Sequence, residues 1–152
     1  MIKIASFLDD ISISQNSYFM IREFNKLSSN NISACCFYHN IAPIPINMNF
    51  ALLNAYYLSH WNGSVFATTL QTANTLLKTP GPSRKFLYLL DLEWLRHEND
   101  FHENMKILRD PSLTLVARSI DHADAIENYC NIRPKHILQD WNAPKILEII
   151  NG

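Results

Sequence analysis

Short apolar runs alternate along the chain with segments whose apolar residues recur at helical spacing. Runs at residues 2–8, 33–38, 64–68, 85–90, 113–117 and 136–139 read as six strands. Tyr18, Ile21, Phe24 and Leu27 fall on one face of a helix that Ser28-Ser29-Asn30-Asn31 ends. Pro43 and Pro45 then favour an extended path, after which Asn47 is expected to cap a helix through Leu53, Tyr56, Tyr57 and His60, with Asn62-Gly63 as its stop. Leu70, Ala73, Leu76 and Leu77 mark the next helix, ended by Thr79-Pro80-Gly81-Pro82. Asp100-Phe101-His102-Glu103 has the spacing of a capping box ahead of a Phe101, Met105, Leu108 stripe. Asp121 is the expected cap of a helix through Ala123, Ile126 and Cys130, and Asn142-Ala143-Pro144 opens the last one.

Strands and helices alternating at this spacing imply right-handed βαβ units, because parallel strands need a crossover and the crossover helices cover the sheet. The expected fold is α/β: a single Rossmann-like domain over residues 1–152, with a mostly parallel six-stranded sheet and helices on both faces. Phe86-Leu87-Tyr88-Leu89-Leu90 has no polar alternation, which places that run among the central strands. In such a sheet the strands end along one edge, where ligands bind at the reversal of strand order. That edge is expected to carry Asp9, Asp10, His39, Asn40, Thr68, Thr69, Asp91, Glu93, Arg118, Ser119, Asp140 and Trp141.

Composition narrows the chemistry. The 152 residues suffice for one continuous core, and 47% apolar with 18% charged residues is a globular balance. No apolar run is long enough to span a bilayer, and MIKIASFLDD lacks the features of a secretory signal, so no membrane insertion and a cytoplasmic location are expected. A formal net charge of −1 without a solidly basic stretch leaves no strong nucleic-acid signature. Glycine occurs only at Gly63, Gly81 and Gly152, which excludes both a GxGxxG turn and a GxxxxGK[ST] loop, and no cofactor is expected. CxxC and HExxH spacings are absent, so no metal site is expected, and Cys35, Cys36 and Cys130 read as buried reduced thiols rather than redox or metal groups.

Polar residues at the strand ends are the candidates for function. Asp91-Leu92-Glu93-Trp94-Leu95-Arg96 sets two carboxylates, an indole and a guanidinium beside the most apolar strand. Carboxylates accept bonds from sugar hydroxyls or act as a base, and an aromatic face covers the apolar side of a sugar ring. The bland alternative is that Asp91 and Glu93 cap the next element and Arg96 pairs with one of them on the surface. Arg118, followed by Ser119, can meet a phosphate or form an ion pair with Asp91 or Glu93, and all three are expected in one cluster. His39 can serve as a base or simply be hydrogen-bonded. Thr69 stands at a helix start, and Asp9 with Asp10 can hold a cation with Asp91 or form a solvated loop.

The segments FYHNIAP, SVFATTLQTANTLL, RKFLYLLDLEWLR and LTLVARSIDHADAIENYC together resemble the amino-terminal half of a GT-B glycosyltransferase of the family 4-like bacterial or phage type. The resemblance covers roughly residues 35–130. It implies an acceptor-side domain of a split or truncated enzyme, or a sugar- or nucleotide-binding relative. His39, Asp91 and Glu93 are then catalytic candidates, and Arg118, Ser119, Trp94 and Thr69 substrate-binding ones. Such enzymes work in the cleft between two Rossmann-like domains, so a second, donor-binding domain or subunit is the implied partner and a nucleotide sugar the implied ligand. Leu8-Asp9-Asp10-Ile11-Ser12 stands where that family has a glycine-rich loop. The alternative is a receiver-like or flavodoxin-like interaction module. Asp9 and Asp10 fit a receiver, but Thr68-Thr69 precedes Asp91 and Lys135 precedes the last strand.

Overall fold

The computed structural model describes residues 1–95 and 98–152. The chain forms β1 (Lys3–Ile11), β2 (Ser33–Ile41), β3 (Ala51–Asn54), β4 (Ser64–Ala67), β5 (Arg84–Leu89), β6 (Leu113–Ala117) and β7 (His136–Ile137). These join in one sheet of order β3-β2-β1-β4-β5-β6-β7, and every neighbouring pair is parallel. Among the described residues five α-helices cover it: α1 (Gln15–Ser29), α2 (Leu70–Lys78), α3 (Phe101–Leu108), α4 (Ile120–Cys130) and α5 (Ala143–Asn151). The α/β class and parallel sheet are as expected; the sheet has seven strands, not six.

The added strand is β3, in the segment expected to be a helix capped by Asn47. Asn54 is the cap, and it opens only a 3₁₀ helix, Ala55–His60, with its side chain accepting from the Tyr56 N–H at 3.1 Å. The preceding stretch is tied to α1 instead. Asn25 donates from Nδ2 to the Asn47 carbonyl at 2.9 Å and accepts from the Asn49 N–H at 2.7 Å, and the Ser28 hydroxyl donates to the Asn49 carbonyl at 2.7 Å. Phe50 packs edge-on against Phe24 with ring centroids 5.6 Å apart. These contacts deliver Ala51 alongside Cys35, which extends the sheet beyond β2.

Two of the expected strands run further. Pairing of Asp10 with Asn40 and of Ile11 with Ile41 puts Asp9, Asp10, His39 and Asn40 inside β1 and β2, not in loops. Because β4 pairs with β1 only as far as Ala67 opposite Phe7, the β1–β2 ribbon projects past the rest of the edge.

Side chains alternate between two cores, as the period of a strand requires. Phe7, Cys35, Phe37, Leu87, Leu89 and Leu115 face α2, α3 and α4. Ile4, Cys36, Phe66, Phe86, Tyr88 and Val116 face α1 and α5. Residues 86–89 are at most 2% exposed, so β5 is covered on both faces, as its unbroken apolar run requires. All three cysteines are buried and free, and burial pushes the Cys35 and Cys36 thiols up to about 12 and Cys130 up to about 11. Neutral thiols of this kind are packing groups, not nucleophiles. Among the described residues no helix is long and apolar enough to cross a membrane.

Candidate functional site

Strand order reverses between β1 and β4, and two threonines bridge that point. The Thr68 hydroxyl donates to the Phe7 carbonyl at 3.2 Å, and the Thr69 hydroxyl donates to Asp9 Oδ2 at 2.6 Å. Thr69 also caps α2 in a box with Thr72: Thr69 Oγ1 accepts from the Thr72 N–H at 3.1 Å, and Thr72 Oγ1 from the Thr69 N–H at 3.0 Å. Glu93 reaches the same helix start, where Oε2 accepts from the Leu70 N–H at 3.2 Å. A carboxylate there is favoured by the positive end of the helix. His39 lies on this face of the sheet too, exposed, with its ring 5.2 Å from that of Phe7.

Several expected site residues therefore have structural work. Ser119, not Asp121, caps α4, its hydroxyl accepting from the His122 N–H at 3.1 Å, because the helix begins at Ile120, ahead of the expected cap. Asp100 precedes α3 without a side-chain capping bond, and Glu103 pairs with Lys106 at 2.7 Å, so the expected capping box does not form. Trp94 is 2% exposed within the core beneath α2 and α3, so its indole is not presented to a sugar ring. Asp91 is exposed and accepts from the Leu92 N–H at 2.7 Å. Arg96, the expected guanidinium of this segment, lies outside the described residues.

Arg118 occupies the other face. It follows β6 one residue beyond Ala117, so alternation turns it toward α1 and α5, while Glu93 lines a concavity of about 410 Å³ against α2 and α3. The expected single cluster of Asp91, Glu93 and Arg118 is thus divided, with Arg118 and Glu93 in different concavities on opposite faces of the sheet edge. The Arg118 concavity, about 220 Å³, is bounded by Gln15, Asn16 and Phe19 of α1, Tyr88 and Leu90 at the end of β5, and Asp140 and Trp141 after β7.

The polar atoms around Arg118 are held firmly. Trp141 is 1% exposed, and its Nε1 donates to Asn16 Oδ1 at 2.7 Å. Its ring meets Tyr88 at 4.9 Å and Phe24 at 5.7 Å, both edge-on. The Tyr88 hydroxyl donates to the Leu138 carbonyl, and burial pushes its pKa up, so it stays a neutral phenol. Arg118 and Asp140 line one concavity, yet no ion pair or hydrogen bond joins either side chain to another among the described residues.

No family model, curated protein or solved structure matches the chain. Among the described residues no group of three or more His, Cys, Asp or Glu is gathered as a metal would need. Reading along the sequence places Asp140 and Trp141 at the correct edge but does not associate them with Arg118. The missing signal is backbone: Asp140 and Trp141 both adopt positive φ, 48° and 59°, with no glycine to announce the turn.

Proposed function

We propose that this chain is the acceptor-side half of a glycosyltransferase-like protein, binding a sugar, or the sugar end of a nucleotide sugar, in the Arg118 concavity. A second Rossmann-like domain or subunit would supply the donor's diphosphate contacts. The observation that carries the reading is the concavity itself, which sets an exposed guanidinium, a carboxylate and two amides over an apolar floor of Tyr88 and Leu90. That mixture suits a ring with hydroxyls on its rim and C–H bonds on its face.

Two features of the fold support it. The order β3-β2-β1-β4-β5-β6-β7 is the dinucleotide-type arrangement, not the 2-1-3-4-5 order of flavodoxins and receivers. The first turn, however, is not built for a diphosphate. β1 continues to Ile11, and Ser14 caps α1 without any glycine between. A ligand that needs no phosphate cradle at that turn fits both facts. His39 and Asp91 are exposed at the same edge but do not line the Arg118 concavity, so the reading there is one of binding, with proton transfer from an acceptor hydroxyl left to groups brought by the partner domain. Glu93 is already engaged at the start of α2.

Titration of isotope-labelled protein with a panel of sugars, sugar phosphates and nucleotide sugars tests the reading. Shifts at Asn16, Arg118 and Asp140, abolished by Arg118→Ala, are expected. No shift and no change in melting temperature with any member of the panel, alone or with a candidate partner domain, would reject it.

A further inference from the structure

Asp140 borders two concavities. On one side it faces Arg118 with Gln15 and Asn16; on the other, a space of about 380 Å³, it meets Arg22, Gln139 and Lys145. Its position is fixed from both directions along the chain. Asp140 and Trp141 sit at φ of 48° and 59°, a conformation that is costly for tryptophan and persists only where surroundings impose it. Here the buried Trp141 indole and its bond to Asn16 impose it from one end. Asn142, whose side chain accepts from the Lys145 N–H at 3.0 Å to cap α5, does so from the other.

Such a carboxylate has a definite chemical preference. An ionised carboxylate only accepts hydrogen bonds, and so do the oxygens of a diphosphate, which would therefore meet Asp140 as like charge against like charge. Sugar hydroxyls both donate and accept, so adjacent ones can give to Asp140 and receive from Arg118. In the adjoining concavity Arg22 is paired with Glu23 at 2.8 Å and Lys145 with Glu148 at 2.5 Å, so the cation that Asp140 balances is Arg118. Asn16 spends its carbonyl on Trp141 and keeps its amide hydrogens for a ligand oxygen.

We propose that Asp140 is the specificity-determining residue of the Arg118 concavity, selecting the hydroxyls of an uncharged sugar and rejecting the diphosphate of a nucleotide. This rests on the sugar-binding reading above and deepens it, since it places the diphosphate outside this chain's own site.

The test compares wild type with Asp140→Asn. Asparagine tolerates the same left-handed backbone, so the fold is retained, and melting temperature verifies this. Both proteins are titrated with the methyl glycosides of glucose, galactose, mannose and N-acetylglucosamine, and with pyrophosphate and UDP. In wild type at least one glycoside is expected to bind more tightly than either phosphate compound. In Asp140→Asn that glycoside should weaken about tenfold or more, the worth of a hydrogen bond to a charged group, while pyrophosphate and UDP tighten. Wild type binding pyrophosphate or UDP as tightly as its best glycoside, or a glycoside-to-phosphate ratio unmoved by the substitution, overturns the role of Asp140 and leaves the sugar-binding reading standing. A wild type that responds to none of these compounds overturns both.

Discussion

The Thr69 hydroxyl donates to Asp9 Oδ2 at 2.6 Å across the gap between β4 and β1, where the strand order reverses. In parallel α/β sheets this gap is the usual ligand crevice. Here a side-chain bond spans it, and Asp9 Oδ1 is buried beside it without a hydrogen-bond partner among the described residues. An open concavity lies instead at the ends of β5, β6 and β7, around Arg118.

Thr69→Ala removes a helix cap and a charge-assisted bond together. The expected loss is about 2–4 kcal/mol in urea unfolding, against less than about 1 kcal/mol for Thr69→Ser, which keeps the hydroxyl. Equal small losses for both variants would show that the Asp9 bond contributes nothing.

Leu87 and Leu89 are 0% and 2% exposed and face the α2–α4 core. Either one changed to Ala should cost about 2–5 kcal/mol through lost burial and the cavity left behind. A loss under about 1 kcal/mol by urea melt would place those side chains outside a packed core.

How much could be read beforehand follows the range of the interactions concerned. β5 was legible because Phe86 to Leu89 are apolar on both alternating sides, and only a covered strand tolerates that. β3 was not, because the stretch that leads into Ala51–Asn54 is held by contacts from Asn25, Ser28 and Phe24, far away in the chain, while the spacing of Tyr56, Tyr57 and His60 signals a helix that exists only as a 3₁₀ turn. The β1 extension was hidden by polarity, since Asp9 and Asp10 look like loop residues until β2 pairs with them. For the site, strand ends identified the edge but not the side of the sheet. Arg118 and Glu93 follow neighbouring strands and still fall on opposite faces.

Glu23 shows what a buried charge does for this fold. Its side chain is 2% exposed, and it joins α1 to α5: Oε1 accepts from Arg22 Nε at 2.8 Å and Lys26 Nζ at 2.7 Å, and Oε2 from the Ala143 N–H at 3.1 Å. Burial alone would raise its pKa, but the bonds from Lys26, Ala143 and Arg22 outweigh it and hold the carboxyl below the ordinary 4.5. A depressed carboxyl stabilises the fold above its unfolded value, and that contribution is lost as pH falls through the folded one. Glu23→Gln, uncharged throughout, should be less stable than wild type by about 1.5–3 kcal/mol at neutral pH. The gap should close below the ordinary value of 4.5. Urea melts of both proteins across that range check it; a gap independent of pH would mean the charge is not what α5 needs.

His122 acts over a different range. It is 7% exposed, and neither ring nitrogen has a hydrogen-bond partner among the described residues. Burial, and then the charge of Arg118, lowers its pKa from the ordinary 6.5. The folded state thus keeps the ring neutral while the unfolded chain takes up a proton, so stability is complete above 6.5 and declines as pH falls toward the folded value. One such group contributes a slope of at most about 1.4 kcal/mol per pH unit. His136 has the same direction of shift, so the decline is shared. His122→Leu, which removes two unpartnered polar atoms, should match or exceed wild-type stability at neutral pH and show a shallower loss in acid. An unchanged slope in thermal melts would assign the decline to other groups.

Trp94 separates a packing role from a ligand role. Its segment, between β5 and α3, carries the residues that most resemble a sugar site in sequence, yet the indole is 2% exposed and belongs to the core cluster that also holds Met105, Leu108 and Leu70. Its Nε1 is buried without a hydrogen-bond partner among the described residues. Trp94→Phe removes that orphan donor, which offsets part of the lost contact area, so the net change in stability should stay near about 1–2 kcal/mol, small for so large a buried side chain. Because the ring lies on the α2–α3 face and Arg118 on the α1–α5 face, ligand-induced shifts at Asn16, Arg118 and Asp140 should be the same in Trp94→Phe as in wild type. A variant that folds normally but no longer responds to sugars would move the binding site to the acidic segment after β5 and away from the Arg118 concavity.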